Sequence, residues 1–286
     1  MQRAAAFDDF AGLAWDDFDV QSAETIGNAL AGISMPLLVK KTKARLLRMH
    51  YESGIGHIGG NLSCLEIMLS LYHRVMVEGD VFALSKGHAV GALYAVLWSK
   101  GVLTDEDLRT FHADGTRLSG HPPVIGMPEI VFATGSLGHG LGQSAGVALG
   151  KAMLGLPGRV FCLTSDGEWN EGSSWESLIF AAHHKLERLT IIVDQNGLQG
   201  FGRTRDVADL APLADKFRTF GVTAYEIDGH DTDAIEQAVD EASRNGPAAV
   251  VARTVKGHGV SFMENRMEWH YLPMSEAQFH QALSEI

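Results

Sequence analysis

Residues 160–202 read VFCLTSDGEWNEG, then SSWESLIFAAHHKLERL, then TIIVDQNGLQGFG. Two short apolar runs, 160–164 and 190–193, flank a helix-like segment, and each run passes at once into acidic or amide residues and glycine. That pattern predicts a strand–helix–strand unit. Apolar runs without alternation suit parallel strands covered on both faces, and ligands of such sheets sit beyond the carboxyl ends of the strands. The predicted fold class is therefore α/β, with a central, mostly parallel sheet and helices on both faces.

Asp166 and Asn196 lie just past the two strand ends, 30 positions apart (166 to 196), the length of one crossover. One carboxylate, one side-chain amide oxygen and a nearby backbone carbonyl form a hard, oxygen-only set that suits Mg²⁺. Gly167 allows close backbone approach, and a helix opening near Gly172 aims N–H groups at an anion. Taken singly, DG and NG are ordinary turns. Two of them at strand ends, one crossover apart, favour a site.

The remaining composition narrows the function. The 286 residues are 45% hydrophobic, enough to bury a substantial core, and no linker divides them; one main domain over 34–286 is expected after an acidic extension, 1–33. A net charge of −12 argues against a nucleic-acid face or an anionic membrane surface. Cys64 and Cys162 fall in apolar runs and read as buried free thiols of a reducing compartment. No apolar stretch reaches membrane-spanning length, and the start MQRAAAFDDF lacks a signal-peptide core, so a cytoplasmic location is expected. In the extension, Phe7, Phe10, Trp15 and Phe18 are interleaved with Asp8, Asp9, Asp16, Asp17 and Asp19. A solvated segment and a docking segment for a partner are both compatible with that composition.

Along the rest of the chain, Pro36 opens a basic helix leading into SGIGHIGG, and a helix over about 62–76 follows Asn61 as an N-cap. VFALSKGHA gives a short strand with a polar end; helices follow over about 89–98 and from the cap-like TDED at Thr104, and 113–130 is loop. VTAYEID and AAVVART are further strands separated by the helix DAIEQAVDEA.

Thirteen histidines are many for this length, and His57, His88, His121 and His139 sit in glycine-flanked loops. Histidines at strand-end loops can converge on a cleft and handle protons near neutral pH. His183 and His184, on the crossover helix, read as surface residues.

The Asp166/Asn196 pair resembles the thiamine diphosphate motif, with Ser165 where that family usually has glycine. GHIGGNLS, LSKGHA, GHPP, TGSLGHGLG, SDGEWNEG and VKGHGVSFMENRMEWH also occur in order. Together, over about 36–275, they resemble the N-terminal domain of transketolase, most closely its split, two-chain form. The resemblance implies thiamine diphosphate with Mg²⁺ (Ca²⁺ or Mn²⁺ as substitutes) held by Asp166, Asn196 and the Leu198 carbonyl, with Gly167 and Glu168 at the cofactor. It places Gly135 and Leu137 as backbone contacts to the cofactor, and His57, His88, His121 and His270 as catalytic residues, His88 also near the diphosphate. Glu171 matches a residue at the interface between subunits. Ile58, His258 and Tyr271 depart from the family pattern and bear on substrate.

The family's activating glutamate and sugar-phosphate-binding basic residues belong to a second domain, and this chain stops at Ile286. The resemblance therefore implies a partner subunit carrying the pyrimidine-binding domain, a heterotetramer, and transfer of a two-carbon ketol unit between sugar or keto substrates. The alternatives are a 1-deoxyxylulose-5-phosphate synthase-like enzyme, a 2-oxo acid decarboxylating enzyme and a non-catalytic scaffold chain.

Overall fold

The computed structural model describes residues 22–286. Twelve α-helices are defined among them: α1 Ala23–Ala31, α2 Met35–Ser53, α3 Ile58–Leu62, α4 Leu65–Ser70, α5 Val90–Ser99, α6 Asp105–Arg109, α7 Gly140–Leu154, α8 Gly172–His183, α9 Thr204–Ala208, α10 Leu213–Thr219, α11 Thr232–Arg244 and α12 Glu276–Glu285. The strands are β1 Val81–Leu84, β2 Val160–Ser165, β3 Leu189–Gln195, β4 Leu198–Gln199, β5 Gly202–Arg203, β6 Thr223–Asp228 and β7 Ala248–Arg253.

Five strands form one parallel sheet in the order β1-β2-β3-β7-β6, and β4 and β5 form a small antiparallel hairpin. Every residue of β2, and all but the last of β3, is buried, which explains the absence of polar alternation in these strands. Successive side chains point to opposite faces. Phe161 and Leu163 join the core on the side of α2, α4, α5 and α11, whereas Cys162, Ile191 and Val193 join the core on the side of α7, α8 and α10. Trp169 fills the second core, with Trp175 and Phe217 rings 5.1 and 4.5 Å away. Both cysteines are buried and free, and burial pushes each thiol up to about 12. No described helix is long and apolar enough to cross a membrane.

The segment 62–76 is not one helix. α3, α4 and a π-helical turn over 71–75 divide it. Asn61 is fully buried and does not cap: its amide oxygen accepts from Ala92 N at 2.6 Å, and its nitrogen donates to the carbonyls of His57 at 2.8 Å and His88 at 3.3 Å. Thr104 does form a capping box with Asp107, and 113–130 contains no helix or strand. Of the acidic stretch 1–33, Phe7, Phe10, Trp15, Phe18 and the aspartates among them lie outside the described residues. Residues 23–31 form α1, whose Ile26 and Leu30 are buried in the main core. The packed domain therefore includes α1, because these two apolar residues, one turn apart, give it a face to bury.

Candidate active site

The parallel register decides the site. Ser165 pairs with Asp194, so the chains leaving β2 and β3 run side by side and carry Asp166 next to Asn196. Asp166 Oδ1 accepts from Gly167 N at 2.8 Å, and Oδ2 accepts from Gly197 N at 2.7 Å and Thr204 Oγ1 at 3.1 Å. No cation pairs with this carboxylate among the described residues. Burial, and then the neighbouring Asp194 charge, push it up to about 6. Asn196 donates to Asp194 Oδ2 at 3.2 Å, and its own Oδ1 accepts from Leu198 N at 3.1 Å.

Beneath this pair lies an ion pair that the sequence motifs do not announce. Asp194 and Lys86 are both fully buried and in direct contact. Asp194 also accepts from Ser63 Oγ at 2.6 Å and from Thr254 Oγ1. Burial opposes ionisation of both groups, but each holds the other charged: the Asp194 carboxyl falls below its ordinary range and the Lys86 ammonium rises above its own. A second lysine, Lys256, is also buried. Desolvation and then the Lys86 charge lower it to about 8, and its Nζ lies 3.4 Å from the Leu198 carbonyl and 3.0 Å from His270 Nδ1.

Four histidines stand over this charged bed. The His57 ring lies 5.1 Å from His270, 5.7 Å from His88 and 6.5 Å from His121, and His88 lies 5.4 Å from His270. They come from α2–α3, β1–α5, the long loop and the segment after β7, and the structure brings all four together. His57 adopts a left-handed backbone (φ 65°), unusual for a side-chain-bearing residue; its N–H donates to the His270 carbonyl at 3.2 Å. Burial lowers His57, His88 and His270, the last to about 3, and Lys256 is the next cause at His270. These rings are neutral at pH 7, each offering one donor and one acceptor.

Gly135 (φ 148°) lies against His121: a Cβ there would sit 2.9 Å from the imidazole, so only glycine lets the loop 134–138 approach this closely. Leu137, on the same loop, is half-buried. Glu168 does not face the cleft. It is fully buried, its carboxylate accepting from Ser85 Oγ, from Gly138 N at 2.9 Å and from Ser165 N at 3.3 Å, which makes it a support of that loop. Gly167 passes close to Gln199, with room for no side chain: a Cβ would lie 2.9 Å from Gln199 Cβ. Glu171 is exposed at the start of α8.

His139, His183, His184, His230 and His258 stay apart. His139 is exposed with Nδ1 3.2 Å from the Ser136 carbonyl, and His183 and His184 are exposed on and just after α8. His258 stacks on His230 at 3.5 Å, and with Glu66 the three offer ligand atoms within 4.8 Å of one another. This trio does not suit a metal. Val255 N donates to His230 Nε2 at 2.8 Å, which keeps the ring proton on Nδ1, the nitrogen 3.4 Å from Glu66 Oε2, and Lys43 already pairs with Glu66 at 3.0 Å.

Lys86, Asp194 and Lys256 escape a reading of the sequence because a charged residue there reads as surface. Lys86 and Lys256 both stand directly before Gly-His, in LSKGHA and VKGHG, and that shared spelling is the available signal.

Known proteins are similar over most of this length. Residues 43–285 match the family described as "Transketolase, thiamine diphosphate binding domain". The chain is 36% identical to a protein named as one subunit of the apulose-4-phosphate transketolase of Actinobacillus succinogenes, covering 89% of this chain and 97% of that protein. It is 38% identical to the 6-deoxy-6-sulfo-D-fructose transketolase subunit SqwG of Clostridium sp., covering 82% and 89%. Among solved structures, transketolase from Leishmania mexicana superposes with a TM-score of 0.83 at 26% identity, over 87% of this chain and 41% of that one. This chain thus spans about two fifths of that longer protein. With its fold, its strand-end carboxylate and amide, and these matches, the chain belongs to the transketolase thiamine diphosphate-binding domain family.

Proposed function

We propose that this chain is the diphosphate- and metal-holding subunit of a two-chain transketolase-like transferase that moves a two-carbon ketol unit from a ketose to an aldehyde. The observation that carries the reading is Asp166: a buried carboxylate beside Asn196 with no direct ion-pair partner among the described residues, which a divalent cation would complete. Relatives named as transketolase subunits, matched almost end to end, support the two-chain arrangement.

The residues fit the group. Asp166, the Asn196 side chain and the Leu198 carbonyl would hold Mg²⁺, with Ca²⁺ or Mn²⁺ as substitutes. Lys256 and His88 would face the diphosphate, Lys256 giving up its contact with the Leu198 carbonyl to do so. Thiamine diphosphate, when bound, supplies the electron sink for breaking and remaking the C–C bond. The chain's own work is protonic and electrostatic. Lys256 donates to His270 Nδ1, which leaves the proton on Nε2, directed away from the lysine and available to a developing alkoxide. His57 and His121, both neutral at pH 7, accept or return a proton at substrate hydroxyls. A partner subunit with the pyrimidine-binding domain would complete the site next to Glu171, in a heterotetramer.

Calorimetry should show Mg²⁺-dependent thiamine diphosphate binding that is lost in Asp166→Ala and Asn196→Ala. Unchanged affinity in both variants would refute the metal assignment. Ketol transfer should be absent from the isolated chain and saturate near equal stoichiometry with the partner; release of CO₂ from pyruvate would instead mark a decarboxylating enzyme.

A further inference from the structure

The hairpin β4–β5 carries the Leu198 carbonyl; its base is held by Gly197 N and Thr204 Oγ1 on Asp166, by Thr204 N on the Gly197 carbonyl and by Leu198 N on Asn196, and its apex has few anchors. The hairpin has only two residues per strand, and Gly197 (φ 75°), just before β4, and Gly202 (φ 136°), the first residue of β5, adopt backbones that favour glycine. Lys256 reaches the Leu198 carbonyl only at 3.4 Å, and Gln199 Nε2 donates to Asn170 Oδ1 at 3.1 Å on the outer side. The shortest bond holding the apex comes from far along the chain: the Tyr271 hydroxyl donates to the Gly200 carbonyl at 2.7 Å.

Gly200 and Tyr271 are matched in shape. Gly200 does not have the left-handed backbone of its neighbours, so conformation does not require glycine there. Space does: a Cβ would sit 2.8 Å from the Tyr271 hydroxyl and 3.7 Å from His270 Nε2. At its other end, the Tyr271 carbonyl covers Gly56, where a Cβ would lie 2.3 Å away, and the preceding carbonyl, of His270, accepts from His57 N. Tyr271 thus joins three segments, 56–57, 198–200 and 270–271, each contributing to the proposed site.

We propose that Tyr271 is a positioning residue: its hydroxyl fixes the β4–β5 hairpin against the histidine segment and so sets the direction of the Leu198 carbonyl. The metal part of this inference rests on Leu198 being a ligand; the clamp itself does not. The Tyr271 ring is half-exposed, 55% accessible, so water competes for the bond and the effect is moderate.

Two measurements on the full chain test it. In hydrogen exchange without cofactor, Tyr271→Phe should speed exchange across 197–204 while leaving β2 and β3 at the parent rate. In calorimetry with thiamine diphosphate, the same variant should raise the half-saturating Mg²⁺ concentration about fivefold. Gly200→Ala should act similarly, and the double variant should be little worse than either single one, because both changes break one contact. Parental exchange across 197–204 in Tyr271→Phe would overturn the proposal. Faster exchange in a chain whose parent shows no Mg²⁺-dependent cofactor binding would support the clamp and overturn the metal reading.

Discussion

Two buried ion pairs in this protein have similar parts and opposite surroundings. Arg45 of α2 and Asp105 of α6 meet near the core, with Arg45 Nη2 also donating to the Asp105 carbonyl at 3.1 Å and Trp98 Nε1 to its carboxylate at 3.3 Å. Burial lowers Arg45 more than Asp105 and then Glu52 raise it. Lys86 and Asp194, at the strand ends, sit instead in a dense polar bed whose next members are the unpaired carboxylate Asp166 and the half-satisfied lysine Lys256. The first pair lacks only a partner for Arg45 Nη1, within a group whose charge Asp105 already balances; the other leaves one charge of each sign to be completed by something bound. A buried pair is weak evidence for stability in either case, but only the second gives a reason to expect a charged ligand.

The comparison can be broken most forcefully at the carboxylates. Asp194→Ala should destabilise the chain by about 3–5 kcal/mol in chemical denaturation, since it strands a buried ammonium, and Asp105→Ala should do the same to Arg45. Replacing both partners separates the two sites. Arg45→Met/Asp105→Leu should cost about 1 kcal/mol, for the one acceptor that Trp98 Nε1 loses, whereas Lys86→Met/Asp194→Leu should cost about 2–3 kcal/mol, because Ser63, Thr254 and Asn196 all lose theirs. Equal effects of the two double variants would mean that the polar bed is no different from the core pair.

The regions should also respond to acid with opposite signs. His50, on the same helix as Arg45, is buried and lowered from an ordinary 6.5 to about 4 by desolvation, so only the unfolded chain takes up its proton between those values. Its contribution is complete above pH 6.5 and lost as pH falls toward 4, by about 3 kcal/mol. Asp166 runs the other way. Raised from 3.8 to about 6, it penalises the folded, metal-free chain fully above pH 6, and the penalty fades as pH falls to 3.8. Thermal melts from pH 7.5 to 4.5 should show a flatter acid slope in His50→Gln and a steeper one in Asp166→Asn. A parental slope in both would remove these two groups as its cause.

The smallest expected change is the most diagnostic. At pH 7 without metal, Asp166→Asn should leave stability within about 1 kcal/mol of the parent, on the favourable side, while abolishing Mg²⁺-dependent cofactor stabilisation. A loss of several kcal/mol would make Asp166 a structural residue like Asp105.

The candidate site is legible in the sequence to the extent that its residues follow strands directly. Asp166 and Asn196 need only two apolar runs and one crossover to be placed together, and the histidines lie in glycine-flanked motifs that a resemblance can order. Glu168 belongs to the same motif and reads there as a cofactor contact, but its carboxylate points inward to Ser85 and Gly138; local sequence does not reveal which way a side chain turns. The helix expected over 62–76 is in pieces, and Asn61, expected to cap it, lies inside α3 and bonds instead with His57, His88 and Ala92, residues up to 31 positions away.

By itself, the sequence determined what depends on local pattern: the five strands of the main sheet, their parallel arrangement implied by continuous apolar runs, the capped helix at Thr104, and an oxygen-rich pair at two strand ends. Tertiary structure alone decided what depends on pairing across long separations. Lys86 meets Asp194 over 108 positions, and Tyr271 reaches Gly200 over 71. Neither partner's identity announces the other, because a buried charge or hydroxyl is stable only once the fold has delivered its complement, and delivery is set by register and packing. The Ser165–Asp194 register places one carboxylate beside its lysine and leaves the next without one.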